Sequence, residues 1–360
     1  MSKNIGFFEH LSRIYKKSFR KVVSLALTIT ALLMTSCGSG NSDVDEIIEK
    51  KYITVGFSQV GAESDWRRAN TESMKEALCR ENGFDLIYMD GQQKQTNQIM
   101  AVRTFIQQGV DYIVLAPVKE DGFSTALSEA QAAGIPVIIV DRMVETQNSP
   151  FTCFVGSDFR LEGMKVVEWL HSFAEAKGID ESKLNIVDVQ GTLGSTAQLG
   201  RSEGLIEGVD KYKWNLLDRQ EGDYTQTKGK EVMAGFLNNY PELNVVYCEN
   251  DNMAFGVIEA IEEAGRVVGT DIAAGEILVL SFDGVSETAK ELVSQGKIAC
   301  IGECNPHHGP RVSSIIISLV NNKEVDKISY VNESVFAYSD IVKEVVVDSM
   351  VYSVESLGNE

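Results

Sequence analysis

From residue 52 onward, short apolar runs alternate with longer segments of helical periodicity, and the runs recur about every thirty residues. They are Ile53 to Phe57, Phe84 to Met89, Tyr112 to Ala116 and Val137 to Val140. After an interruption they resume as Leu184 to Val189, Trp214 to Leu217, Val245 to Tyr247, Ile277 to Phe282 and Ile298 to Gly302. Between them, helices are predicted from Ser64 or Asp65 to Glu81, Thr96 to Gln108, Phe123 to Ala133 and Leu161 to Ala176, several closed by glycine (Gly109, Gly134). Strand, helix, strand at this spacing predicts right-handed βαβ units in parallel sheets. Two such sets predict an α/β chain of two doubly wound lobes, with a linker or crossover in the turn-rich stretch 144–158.

The run Ile135 to Arg142, I-P-V-I-I-V-D-R, reads as a strand buried on both faces that ends on two charges. In open α/β sheets ligands bind beyond the carboxyl ends of the strands, which is where Asp141 and Arg142 fall. These two residues alone fit a salt-bridged surface strand end equally well. The second set delivers polar groups to the same edge: Gln190-Gly191-Thr192, Gln220 to Tyr224, Glu249 to Asn252, and Asp283-Gly284. The G-x-x-G spacing in Gly191 to Gly194 matches neither the dinucleotide nor the P-loop fingerprint, so a phosphate cradle is not expected there.

The first residues have a different character. Lys3, Arg13, Lys16, Lys17, Arg20 and Lys21 precede the apolar run Val22 to Leu33, which is too short to span a bilayer and fits the apolar part of a signal peptide. Met34-Thr35-Ser36-Cys37 follows, in the order of a bacterial lipoprotein signal, with Met34 departing from the usual Leu. A leader over 1–36, lipidation at Cys37 and a small, acidic tether over 37–51 are therefore expected, with an exported body anchored at the outer face of the cell membrane. Removing residues 1–36 takes away six basic residues and one acid, Glu9, and moves the formal charge from −19 to −24. So acidic a body repels nucleic acid and anionic headgroups. The remaining cysteines, Cys79, Cys153, Cys248, Cys300 and Cys304, are odd in number and scattered, which is not a disulfide framework.

The stretches Val55 to Gly61, Asp90 to Gln95, Asn97-Gln98-Ile99, Ala116-Pro117-Val118, Asp141-Arg142, Gln190-Gly191-Thr192, Gly222-Asp223-Tyr224, Lys228 to Met233 and Asp283-Gly284 together resemble the type I periplasmic sugar-binding proteins of the ribose- and galactose-binding family, in particular its galactofuranose-binding branch. The resemblance covers residues 52 to about 310. It implies two lobes joined by three crossovers, a cleft that closes on one monosaccharide, action as a monomer and delivery to an ABC transporter permease. By position, it puts ligand contacts on Trp66, Arg67, Asp90, Asp141, Arg142, Arg201, Asp223, Tyr224, Asn250, Asp283 and Glu303. It also implies a first lobe of 52–143 with about 305–332, a second of 144–304 with about 333–346, and a tail over 347–360. Departures at Cys248-Glu249 and Cys300 to Cys304 would retune the sugar preference.

The residue chemistry suits a neutral sugar. Charge-assisted hydrogen bonds from Asp and Arg are worth about 1.5–3 kcal/mol against about 0.5–1.5 for neutral ones, and Trp66 supplies an apolar face for the ring. A glycosidase would need one acid kept protonated beside an ionised partner, whereas most candidate acids here have an Arg or Asn candidate nearby; an enzyme is not expected. A repressor would need a DNA-binding element where the leader stands. A sensor handing a sugar signal to a membrane receptor kinase would share the same fold and remains an alternative partner. Cys300, Cys304, His307 and His308 are ligand types at short spacing, but no second cluster completes a tetrahedral set. No metal or cofactor is expected.

Overall fold

The structure, a computed structural model, describes residues 52–147 and 149–358. The leader, the tether and Cys37 lie outside the described residues. The first lobe runs β1 (Ile53–Gln59), α1 (Asp65–Ala77), β2 (Phe84–Asp90), α2 (Gln95–Gln108), β3 (Tyr112–Leu115), α3 (Ser124–Ala132), β4 (Val137–Asp141) and β5 (Cys153–Gly156). The chain then crosses into α4 (Phe159–Lys177), β6 (Asn185–Gln190), α5 (Thr196–Tyr212), β7 (Asn215–Glu221), α6 (Gln226–Asn239), β8 (Val245–Cys248), α7 (Asp251–Glu263), β9 (Leu278–Asp283), α8 (Glu287–Ser294) and β10 (Cys300–Glu303). It returns through α9 (Gly309–Val320) and β11 (Ile328–Tyr330). A third crossing leads to β12 (Val335–Ala337), β13 (Glu344–Val347) and β14 (Met350–Ser356).

The sheets have the strand orders β11-β5-β4-β3-β1-β2 and β13-β14-β12-β10-β9-β8-β6-β7. The first is parallel throughout; the second turns antiparallel at β12 and β13. In each, the order reverses about the first strand of the lobe, between β1 and β3 and between β6 and β8. The crevice at the carboxyl end of such a reversal is where an open α/β sheet takes its ligand. Both faces of each sheet are covered. Along β3, Tyr112 and Val114 enter one core while Ile113 and Leu115 enter the other, which is why the strand reads as a continuous apolar run.

Two expected boundaries are corrected. The first lobe does not end at residue 143, because Cys153–Gly156 is fully buried and pairs with β4 in parallel (Ile138↔Cys153 to Asp141↔Gly156). The turn signals on both sides of it, Asn148-Ser149-Pro150 and Gly156-Ser157-Asp158, make this stretch read as a linker in the sequence. Nor is 347–360 a tail. β13 alternates exposed and buried positions and turns through Asp348 and Ser349, at φ 49° and 68°, into β14, which pairs on with β12. Positive φ at both turn residues is the geometry that suits a two-residue hairpin, achieved here without the glycine that normally signals it.

Candidate functional site

The carboxyl ends of the two sheets face each other across a nearly filled cleft of about 20 Å³, lined from the first lobe by Glu63, Ser64, Trp66, Arg67, Asp141 and Arg142. The opposite wall comprises Phe159, Ala197, Arg201, Tyr224, Asn250 and Asp283, with Cys304 from a crossover. Three guanidinium groups thus meet three carboxyl groups, a set with no surplus formal charge that would select an ionic ligand.

Ser64 caps α1 by accepting from the Arg67 backbone N–H, which brings Trp66 and Arg67 to the start of the helix. Arg67 is clamped by Asp141 at 2.7 Å and Glu63 at 3.1 Å, and donates to the buried Gln59 side chain at 3.2 Å. Burial works against its charge, but the two acids outweigh burial and hold its pKa above the ordinary guanidinium value. Asp141 therefore serves Arg67 first. The expected Asp141–Arg142 pair is loose, at 3.9 Å. Arg142 instead donates to the Val118 carbonyl at 3.0 Å and lies over the Tyr224 ring, 5.1 Å away on the other lobe. Trp66 packs into the second lobe's core, and its indole N–H donates to the Cys304 carbonyl at 2.8 Å.

On the second lobe Arg201, from α5, donates to Glu162 at 2.8 Å, to Asp283 at 3.2 Å and to the Glu249 carbonyl oxygen. Burial raises the Glu162 and Asp283 carboxyls above the ordinary range while Arg201 pulls against it. The Glu249 side chain accepts from the Gly191 N–H and from Ser202, both at 2.7 Å. A Cβ at Gly191 would sit 1.9 Å from the Tyr224 ring, so this glycine makes room for an aromatic wall, consistent with the absence of a phosphate fingerprint. Asn250 caps α7 through its Oδ1 on the Met253 N–H. At the strand ends the backbone is left-handed without glycine: Asp141 at φ 64°, Asp223 at 52°, Tyr224 at 58° and Asp283 at 102°.

Hydrogen bonds also tie the lobes directly. Asp65 and Asn252 exchange two, at 2.9 and 3.3 Å, the Glu120 N–H donates to the Gly194 carbonyl at 3.0 Å, and the Met143 N–H donates to Thr196 at 2.9 Å. The lobes are held shut.

Three expected residues fall outside this lining. Asp90 is exposed and accepts from the Gln92 N–H. Asp223 accepts from Thr192 at 2.6 Å. Glu303 accepts from the Ser334 N–H at 2.7 Å, joining two crossovers. Conversely, Glu63, Ser64, Phe159 and Ala197 line the cleft and Glu162 stands behind it without having been anticipated, while Cys304, expected as a departure that retunes the sugar preference, is in the lining. Glu63 carried a signal, its spacing four residues before Arg67 on a helix start; Glu162 carried none. Cys304 does not gather Cys300, His307 and His308. Among the described residues the ligand-type group it joins is Glu162 and Glu333.

A model of the periplasmic binding protein domain matches residues 55–308. The chain belongs to the periplasmic binding protein family. It is 41% identical over 246 residues to the galactofuranose-binding protein YtfQ of Escherichia coli (strain K12), covering 67% of this chain and 74% of that one. A solved structure from Mycobacterium smegmatis in complex with β-D-fucofuranose is 37% identical, with a TM-score of 0.74 over 80% of this chain and 92% of that one. The periplasmic binding component of the arabinose ABC transporter from Shewanella sp. ANA-3, bound to α- and β-L-arabinofuranose, is 38% identical, with a TM-score of 0.73 over 80% and 93%. The two-lobed architecture is that of type I periplasmic binding proteins.

Proposed function

We propose that this periplasmic binding protein captures one neutral monosaccharide, with a preference for the furanose ring, in the interlobe cleft and presents it to an ABC permease. The observation that carries the reading is the balanced set of guanidinium and carboxyl groups beside Trp66, Phe159 and Tyr224. Sugar hydroxyls are both donors and acceptors, so Arg142, Asp283 and the free amide of Asn250 each find a complementary partner. The aromatic side chains cover the C–H faces. The furanose preference is supported by the ligands named for the relatives at 37% and 38% identity.

A thermal-shift panel of D-galactose, D-fucose, L-arabinose, D-ribose and D-glucose tests it, since a sugar at one hundred times its Kd adds about 2.7 kcal/mol. The sugars that populate furanose forms are expected to raise the melting temperature, and the sugar recovered from the complex to be chemically unaltered. A panel without any shift, or a converted product, counts against the reading. We further propose that the body is tethered outside the cell membrane through lipidated Cys37. Detergent-phase partitioning that persists in Cys37→Ala after leader removal would contradict that tether.

A further inference from the structure

Three segments cross between the lobes, 157–158, 304–308 and 331–334, and one side chain touches all of them. Glu333, on the third, accepts through Oε1 from the Ser157 hydroxyl at 2.6 Å on the first and from the Asn305 N–H at 2.8 Å on the second. Beside it, Glu162 gives Oε2 to Arg201 and keeps Oε1 buried with no hydrogen-bonding partner. Atoms of Glu162, Glu333 and the Cys304 thiol lie within 4.8 Å of one another.

The neighbouring cations offset this pair only in part. Arg201 is divided between Glu162 and Asp283. Lys165, from the same helix as Glu162, donates to the Glu333 backbone carbonyl at 2.7 Å and lies over the Tyr352 ring. The other charged or titratable groups facing the pair are Asp158, Asp283, Glu303, Cys304 and Tyr247, none of them cationic. Two carboxylates this close in a buried site cannot both stay ionised.

We propose that Glu162 and Glu333 share one proton, carried between Glu162 Oε1 and the second oxygen of Glu333, and that this pair is a positioning device. It fixes Arg201 from behind the cleft and fastens the three crossovers together. Burial lifts both carboxyls, and for Glu333 the neighbouring Glu162 lifts it further. The proposal stands whether or not the sugar reading holds, because it concerns the ligand-free protein.

The sign of the effect follows from linkage. A carboxyl pair that keeps its proton in the native state longer than in the unfolded chain makes native stability fall as pH rises from the unfolded value, about 4.3, toward the native one. Glu333→Gln replaces the protonated acid with a neutral isostere and removes that slope. Melting curves of the mature chain and of Glu333→Gln are compared between about pH 5 and pH 8. The melting temperature of the variant minus that of the parent is expected to grow by about 2 °C per pH unit. Asp188 and Asp251, each pushed by burial to about 7, titrate in both proteins and cancel in the difference. Glu162→Gln, in which an amide likewise takes the place of the protonated acid and Glu333 keeps the single negative charge, carries the same expectation should Glu333→Gln fail to fold. A difference that is constant with pH would overturn the shared proton and leave Glu333 a plain hydrogen-bonding staple. One equivalent of zinc in the purified parent, lost in Glu333→Gln, would overturn it in favour of a bound cation.

Discussion

In the first lobe two neighbouring functions are split between two arginines. Arg67 is held by Glu63, Asp141 and Gln59, while Arg142 has the Val118 carbonyl, an aromatic ring and a loose pair with Asp141. In the second lobe a single arginine, Arg201, answers Glu162, Asp283 and the Glu249 carbonyl and lies over Phe159 and Phe282, at 5.5 and 4.8 Å. The difference separates what supports the wall from what faces the ligand. On the first side, the facing residue can be removed without unpicking the support; on the second, the same guanidinium serves both.

Breaking that contrast gives a ranked set of outcomes. The largest effect is expected from Arg201→Ala, which leaves Glu162 and Asp283 buried without their counter-charge and should lower unfolding stability by about 3–5 kcal/mol in urea melts. The two freed carboxyls, already raised, then rise further. The native variant therefore holds protons that the unfolded chain releases, and its deficit should be smaller at pH 5 than at pH 8. Arg142→Ala comes next. It should leave the urea midpoint nearly unchanged but weaken the tightest sugar of the panel by about one to two decades in calorimetric titration, from the loss of charge-assisted bonds worth about 1.5–3 kcal/mol. Asn252→Ala removes the two rim bonds to Asp65. A drop of about threefold to tenfold in affinity is expected, seen in stopped flow chiefly as faster release. Asp90→Ala, on an exposed side chain that accepts from a turn N–H, should keep affinity within about twofold of the parent.

Legibility in the sequence followed burial. Strands covered on both faces, such as β3 and β4, announce themselves as apolar runs, and what stands at their ends could be named in advance: Asp141, Arg142, Asn250 and Asp283 all line the cleft. β5 is as deeply buried and as long as β3, but it stands between the turn signals Asn148-Ser149-Pro150 and Gly156-Ser157-Asp158, which read as a linker. Partners were harder than anchors. Glu162 meets Arg201 across 39 residues of chain, and nothing in the local pattern of a helix tells which of its acids turns inward. Asp90 and Glu303 sit at strand ends of the expected kind, yet their side chains bond to nearby backbone N–H groups instead of facing the cleft. A strand end fixes a residue's neighbourhood, whereas its pleat and the next turn fix its direction.

The left-handed residues at Asp141, Asp223, Tyr224 and Asp283 carry this into selection. Non-glycine residues in such conformations cost about 1–3 kcal/mol each and persist where the surroundings over-determine them. At Asp141 and Asp283 that strain is outweighed by the buried guanidinium each carboxylate answers, and at Tyr224 by the ring's place in the core, so of these four positions a laboratory population evolved for heat resistance alone would find a cheap glycine gain at Asp223. Asp223 lies outside the cleft lining and bonds to Thr192 of its own lobe, so its relief leaves the cleft-lining side chains in place. Thermal endurance and the cleft are thus joined at the other three positions, and such a population would keep Asp141, Tyr224 and Asp283 even with no sugar to capture.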